Sequence, residues 1–120
     1  MSAQDKCCTI APYFRVSSGK LEAFKELCQQ FVAKTSEETK CLYYGFCFDR
    51  DLAHCREGYA DAEGLLTHLK NVGSLLEEAL KISEITRLEI HGPEEEIAKL
   101  REPLAGLKPQ FFILAYGFRR

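Results

Sequence analysis

Two segments of this chain carry no charged side chain on either face of a predicted strand, namely residues 41–48 (CLYYGFCF) and 110–118 (QFFILAYGF). Successive strand residues point to opposite faces, so a half-exposed strand would alternate apolar and polar positions. In the first segment, Leu42 and every second residue after it are expected on one face, with Cys41 and its alternates on the other. Both segments therefore predict strands that are covered on both sides.

The rest of the chain predicts alternating strands and helices. Strands are predicted at 7–16, 41–48, 54–60, 82–91 and 110–118, and helices from about 20 to 36, 61 to 71, 74 to 80 and from 93 onward. The order β-α-β-β-α-β-α-β begins with the split βαβ arrangement of ferredoxin-like folds. We therefore predict one α+β domain over residues 1–120, with an antiparallel sheet and helices on one face only.

A polar turn at 49–52 is predicted to join the second and third strands as a hairpin. If the hairpin is symmetric about Asp51, Cys47 lies opposite Cys55 and Tyr43 lies opposite Tyr59.

The second face of this sheet needs a cover that the chain does not supply. At 120 residues the chain has no further helices to place there. Two copies can bury the exposed faces against each other, and apolar sheet area of this size is rarely left in water. The sequence therefore predicts a homodimer.

The stretch from Glu57 to Asn71 concentrates side chains with proton chemistry where a strand meets a helix. Tyr59 ends the third strand, and Asp61 has the residue type of a helix N-cap. His68 lies at the edge of the apolar helix face, facing either the sheet or water. An imidazole titrates near neutral pH, so His68 has a residue type suited to proton transfer.

Purely structural interpretations remain open for these residues. His68 would then cap or pack at a helix edge, and Tyr59 would be a core ring with a satisfied hydroxyl. Glu57 would pair with Arg56 or Lys40 at a sheet edge. Four further tyrosines are expected to line the sheet, in either a cavity or a packed core, namely Tyr13, Tyr43, Tyr44 and Tyr116. Two further histidines at strand ends are expected to face solvent, namely His54 and His91.

Composition excludes several classes of protein. The net charge is −2, with no basic stripe, so nucleic acid is not an expected partner. No apolar run approaches the ~20 residues of a membrane helix, and the polar first residues do not resemble a secretory signal. A cytoplasmic location with reduced cysteines is therefore expected. The six cysteines lack metal-binding spacing, so no metal is expected. The vicinal pair Cys7-Cys8 leaves a thiol sensor as a third alternative.

The stretch Arg56-Glu57-Gly58-Tyr59, followed by Leu65 and His68-Leu69, resembles the E-x-W … H-L pattern of antibiotic biosynthesis monooxygenase domains. The element order agrees along almost the whole chain, and so does the ending from Gly92-Pro93 to Phe111-Phe112. The resemblance implies a dimeric α+β barrel with a cavity between sheet and helices in each subunit. Glu57, Tyr59 and His68 then occupy the E, W and H positions.

The resemblance also implies a function. Members of this family include enzymes that oxidise aromatic molecules with molecular oxygen and without metal or flavin. We therefore expect a monooxygenase-like protein without a cofactor, acting on a small aromatic or enolisable molecule. Such a reaction needs a base and oriented donors, so His68 is the candidate base and Tyr59 and Asn71 are the candidate donors. The candidate substrate-binding residues are Glu57, Tyr44 and Tyr13. The chain has no Trp, and Tyr59 stands where quinone-forming and haem-degrading members typically carry one. The alternative is a barrel of the same type that binds a small hydrophobic molecule without turnover.

Overall fold

A computed structural model describes residues 5–120. The strands are β1 (Cys8–Val16), β2 (Cys41–Asp49), β3 (Leu52–Tyr59), β4 (Ser83–Gly92) and β5 (Gln110–Ile113). The helices are α1 (Leu21–Thr35), α2 (Ala62–Asn71), α3 (Gly73–Ala79) and α4 (Glu94–Leu100), with a 3-10 turn at Ala105–Leu107. The predicted order of elements is confirmed.

The strands form one sheet in the order β2-β3-β1-β4-β5. The first four strands are antiparallel neighbours in the ferredoxin-like arrangement, as predicted. β5 is added at the edge and runs parallel to β4, so the sheet is mixed rather than wholly antiparallel. The chain is an α+β domain whose sheet does not close on itself.

One face of the sheet packs against the helices because β1 alternates buried and exposed side chains. Two clusters of buried side chains share this layer. The first surrounds Tyr59 and Leu65 and includes residues of α4. The second joins Phe24 and Phe31 of α1 to Phe14 of β1, with Val72 beside them. Phe14 and Phe24 lie with ring centroids 5.5 Å apart.

The other face of the sheet carries no helix within residues 5–120. Tyr13 and Tyr43 are 37% and 36% exposed there, and Phe112 is 39% exposed. The rings of Tyr13 and His54 stack on this face, with centroids 4.2 Å apart. A charged side chain also lies on this face, since the guanidinium group of Arg87 is positioned over the ring of Tyr13. We refer to this surface, around Tyr13, Tyr43 and Phe112, as the open face.

The β2–β3 hairpin differs from the predicted register by one residue. Asp49 pairs with Leu52, so the turn is centred between Arg50 and Asp51, and Cys47 faces His54 instead of Cys55. Arg50 has a φ of 57°, a left-handed conformation that closes a two-residue turn.

A register shift between Cys41 and Tyr43 also changes the predicted faces of β2. Cys41 pairs with Tyr59 and packs against the core on the helix side, whereas it was expected on the opposite face from Tyr44. Tyr43 pairs with Gly58 instead of Tyr59.

The last strand is shorter than the predicted 110–118. β5 stops at Ile113 because its partner β4 ends at Gly92, the residue that pairs with Ile113. Pro93 then directs the chain into α4. The residues beyond β5 are largely exposed, with Tyr116 at 95% and Phe118 at 83%.

Over residues 5–120, no helix has the length and apolar character needed to cross a membrane. The polar residues 1–4, on which the expectation of no signal peptide depends, lie outside the described residues. The cytoplasmic location stays a prediction.

Candidate functional site

A cavity of about 70 Å³ lies between the sheet and the helices. Its walls are mainly aromatic and aliphatic side chains from β1, β2, α1, α2 and α3, including Phe14, Phe24, Phe31, Phe46, Val72 and Leu76. Leu80 and Leu107 also line it and are 42% and 44% exposed, which places its mouth beside them. Two ionisable side chains, Glu57 and His68, line the same cavity.

Glu57 points inward because β3 alternates, and Cys55 and Tyr59 point to the same side. The residue is 4% exposed. Tyr59 donates a hydrogen bond of 2.5 Å to Glu57 Oε1. Burial raises the pKa of Glu57 to about 7, and this hydrogen bond opposes the rise. The expected alternative of a surface pair with Arg56 or Lys40 is not observed, since Lys40 binds Asp61 and Glu63 instead.

His68 is placed by α2, whose first turn is capped as predicted. Asp61 accepts a hydrogen bond of 2.8 Å from the backbone N–H of Gly64. About two helical turns after Asp61, His68 is 2% exposed and faces the sheet, not water. Its Nε2 lies 3.4 Å from Glu57 Oε1. The ring also lies beside two tyrosines, with centroids 5.0 Å from Tyr59 and 5.2 Å from Tyr44.

Glu38 holds the other nitrogen of the ring. Nδ1 of His68 lies 2.9 Å from Glu38 Oε2, and the Glu38 side chain is 7% exposed. Asn71 donates a hydrogen bond of 2.8 Å to the same oxygen and one of 3.2 Å to the carbonyl of Lys34. Because a carboxylate only accepts, Nδ1 carries the proton and Nε2 of the neutral ring is left as an acceptor facing Glu57.

This arrangement gives two titrating groups at one end of an apolar cavity. Burial lowers the pKa of His68, and the hydrogen bond to Glu38 opposes the change. Burial raises the pKa of Tyr59 and Tyr44, so both phenols stay protonated, and Tyr59 donates to Glu57. A neutral imidazole is a base, and a carboxyl group that titrates near pH 7 serves as acid or base.

The structure brings together most of the site residues that the sequence indicated. Glu57, Tyr59 and His68 are in mutual contact, and Tyr44 lines the cavity. Asn71 is connected only through Glu38, so it orients that carboxylate and does not line the cavity. Tyr13 lies on the open face, because the side chains that alternate with it on β1 are those that face the helices.

Glu38 was not predicted from the sequence. It lies in the irregular segment between α1 and β2, where no periodic pattern indicates which way a side chain points. The only sequence feature that could have indicated it is an acidic residue three positions after the end of an amphipathic helix. That feature is common and does not indicate a functional site.

The vicinal cysteines are poorly suited to redox chemistry. Cys8 is fully buried in the core, and burial raises its pKa to about 12. Burial also raises the pKa of Cys7. Reactive cysteines are accessible and have lowered pKa values, so this pair does not support a thiol sensor. Among residues 5–120, no group of three or more His, Cys, Asp or Glu side chains is arranged to hold a metal ion.

Comparison with solved structures identifies a relative over the whole chain. MupZ from Pseudomonas fluorescens is 50% identical, with a TM-score of 0.95, and the match covers 100% of this chain and 94% of MupZ. This chain belongs to the family of MupZ. No protein-family model matches the sequence, and the search of curated proteins gives no match.

More distant structures share the fold. A candidate antibiotic biosynthesis monooxygenase from Caulobacter crescentus is 16% identical, with a TM-score of 0.63, over 72% of this chain and 86% of its own. A second one, from Chloroflexus aurantiacus, is 15% identical, with a TM-score of 0.60, over 72% of this chain and 92% of its own. The resemblance inferred from the sequence is therefore confirmed, and the chain has the antibiotic biosynthesis monooxygenase-like fold.

Proposed function

We propose that this protein is an acid–base enzyme that moves a proton to or from a small, mostly apolar substrate between its sheet and helices. One observation carries the proposal: Glu57 and His68, both less than 5% exposed, meet 3.4 Å apart at the wall of an apolar cavity. Two buried titrating groups are destabilising unless they are paired, and pairs of this kind concentrate at active sites. A structural role alone would be filled more simply by apolar side chains.

The reaction class that we favour is oxidation of an aromatic or enolisable substrate without a cofactor. Such a reaction begins with removal of a proton to give an electron-rich phenolate or enolate, which then reduces molecular oxygen. His68 or ionised Glu57 would take the proton, and protonated Glu57 would donate to the oxyanion. The similarity in fold to candidate antibiotic biosynthesis monooxygenases supports this choice.

The first step can be tested without knowing the natural substrate. Acetone is a small, enolisable ketone that suits a cavity of this size, and exchange of its α-protons for deuterium in D₂O is followed by ¹H NMR. We expect exchange above the buffer rate with the wild-type protein, and a loss of about 100-fold or more in His68→Ala and in Glu57→Gln. His91→Ala, on the open face, is the matched control and should retain the wild-type rate. A rate unchanged in both site variants would contradict the proposal.

An oxygen electrode separates the reaction classes. Oxygen uptake with hydroxyquinone-type substrates that requires His68 would support the oxygenase. Proton exchange without oxygen uptake would indicate an acid–base reaction that is not oxidative. Neither activity, together with a ligand-dependent rise in melting temperature, would favour the alternative of a binding protein without turnover.

We also propose that two copies associate through the open face. Tyr13, Tyr43 and Phe112 are each more than one third exposed there, on a sheet whose other face is already packed against helices. The apolar part of β2 gives this face a surface that a second sheet can bury.

A further inference from the structure

We propose that Glu38 is a proton relay, which carries protons between His68 and bulk water on the side of the site away from the cavity. The inference rests on the proposed acid–base function, since it describes how the pair of Glu57 and His68 regains its starting protonation state. It is drawn from the hydrogen-bond chain and from the surroundings of its two ends.

The cavity is a poor route for protons to the pair. Its walls are almost entirely apolar, and apolar cavities in proteins tend to stay dry. A bound apolar substrate would close this route completely. The pair therefore needs exchange with water from another direction.

Glu38 provides that direction. It contacts His68 Nδ1 at 2.9 Å on the inside. On the outside it lines a surface depression of about 220 Å³ shared with Thr39, Lys40, Glu63, Gly64 and Thr67. About half of the surface that lines this depression is polar, whereas the cavity is almost entirely apolar.

The second oxygen of Glu38 has the properties that a relay requires. Oε2 is occupied by His68 and Asn71, but Oε1 is buried and has no hydrogen-bond partner within residues 5–120. A buried carboxylate oxygen without a partner is unfavourable, and a water entering from the depression would satisfy it.

The steps balance without any other reactant. A proton taken up at His68 Nε2 gives an imidazolium, which releases its Nδ1 proton to Glu38 Oε2. Glu38 then passes a proton to water in the depression, which leaves a neutral ring with its proton on Nε2. When Nε2 gives that proton to ionised Glu57 or to the reacting substrate, Glu38 carries a proton from water back to Nδ1, and the starting tautomer is restored.

The test follows the Nδ1 proton of His68 in ¹⁵N-histidine-labelled protein, by its NMR exchange rate with water. In Glu38→Gln the amide oxygen still accepts from Nδ1 but the side chain cannot carry a proton, and we expect exchange to slow by about tenfold or more. Glu63→Gln is the matched control, because Glu63 lines the same depression without contacting His68. It should exchange at the wild-type rate.

A second variant tests the relay even if Glu38→Gln fails to fold. Thr67→Trp keeps Glu38 and its hydrogen bonds but covers the depression with an indole, and it should slow exchange in the same direction. Exchange at the wild-type rate in both Glu38→Gln and Thr67→Trp would overturn the relay, and so would equal slowing in Glu63→Gln.

The measurement involves no reaction, so it is independent of the proposed function. If proton exchange at the His68 ring slows in Glu38→Gln but the wild-type protein exchanges no ketone protons, the relay is supported and the proposed enzymatic function is refuted. If ketone exchange requires His68 but exchange at the ring is unaffected by Glu38→Gln, the enzymatic function is supported and the relay is refuted.

Discussion

The hydroxyl of Tyr59 donates a 2.5 Å hydrogen bond to the carboxyl group of Glu57, two residues earlier on the same strand. Residues at this spacing point to the same face, so β3 alone sets their contact. The bond favours the ionised form of Glu57, whereas burial favours the protonated form more strongly. Tyr59 therefore restrains how far the pKa of Glu57 rises.

Removing this hydroxyl should change the titration of Glu57. In Tyr59→Phe we expect the pKa of Glu57 to rise above about 7, because burial remains and the opposing hydrogen bond is lost. The free energy of unfolding should fall by about 1 to 3 kcal/mol, the usual effect of leaving a buried acceptor unpaired. Carboxyl ¹³C NMR measures the first effect and denaturant unfolding the second. Tyr13→Phe on the open face should leave the pKa of Glu57 unchanged, and a shift there would contradict the assignment.

Stability should depend on pH through Glu57. Its pKa rises from 4.5 in the unfolded chain to about 7 in the folded one, so the folded state binds the proton more tightly. The contribution of Glu57 to the free energy of unfolding is fully present below pH 4.5 and is lost as the pH rises through 7. The loss is roughly 3 kcal/mol at most. Glu57→Gln stays neutral, so it should gain stability relative to wild type between these pH values. Unfolding in urea at a series of pH values measures the difference.

Glu89 provides a control of opposite sign. The hydrogen bond with His91 lowers the pKa of Glu89 below its usual value. Its contribution is therefore present above the unfolded pKa and lost as the pH falls, so Glu89→Gln should lose stability relative to wild type at neutral pH. The same trend in both variants would argue against the inferred titration of Glu57.

The N-cap of α2 should support both stability and the position of His68. Asp61 accepts from Gly64 N–H at 2.8 Å and pairs with Lys40 at 2.9 Å. Asp61→Ala should lower the free energy of unfolding by about 1 kcal/mol. Glu63→Ala removes a carboxylate that pairs with the same lysine but does not cap the helix, and it should have a smaller effect. Equal effects would assign the stabilisation to the ion pairs instead of the cap.

The proposed dimer can be tested at a glycine. A Cβ on Gly58 would lie 2.5 Å from the ring of Tyr43, so Gly58→Ala must shift that ring within the open face. We expect weaker self-association by sedimentation velocity and a lower melting temperature. Gly45→Ala is the matched control on the neighbouring strand, because a Cβ there meets nothing within 4 Å. A wild type that sediments as a folded monomer at micromolar concentration would refute the dimer itself.

Local signals account for what the sequence predicted well. The cap at Asp61 and the spacing of Leu65 and Leu69 lie within one short segment, so α2 followed from residue type and period. The inward direction of Glu57 did not follow, because a pair with Arg56 or Lys40 at the sheet edge was also compatible with the sequence. The hairpin register was missed because Arg50 is not a residue type that signals a left-handed turn. Glu38 was missed because its partner His68 is 30 residues away, and only the packed structure brings them together.

The position of the mouth has a consequence for selectivity. Leu80 and Leu107 are more than 40% exposed, whereas Glu57 and His68 are less than 5% exposed. Under the proposed function, a substrate that enters beside these leucines would bring only its inserted portion to the ionisable pair. The position of proton transfer would then depend on how far the substrate can be inserted.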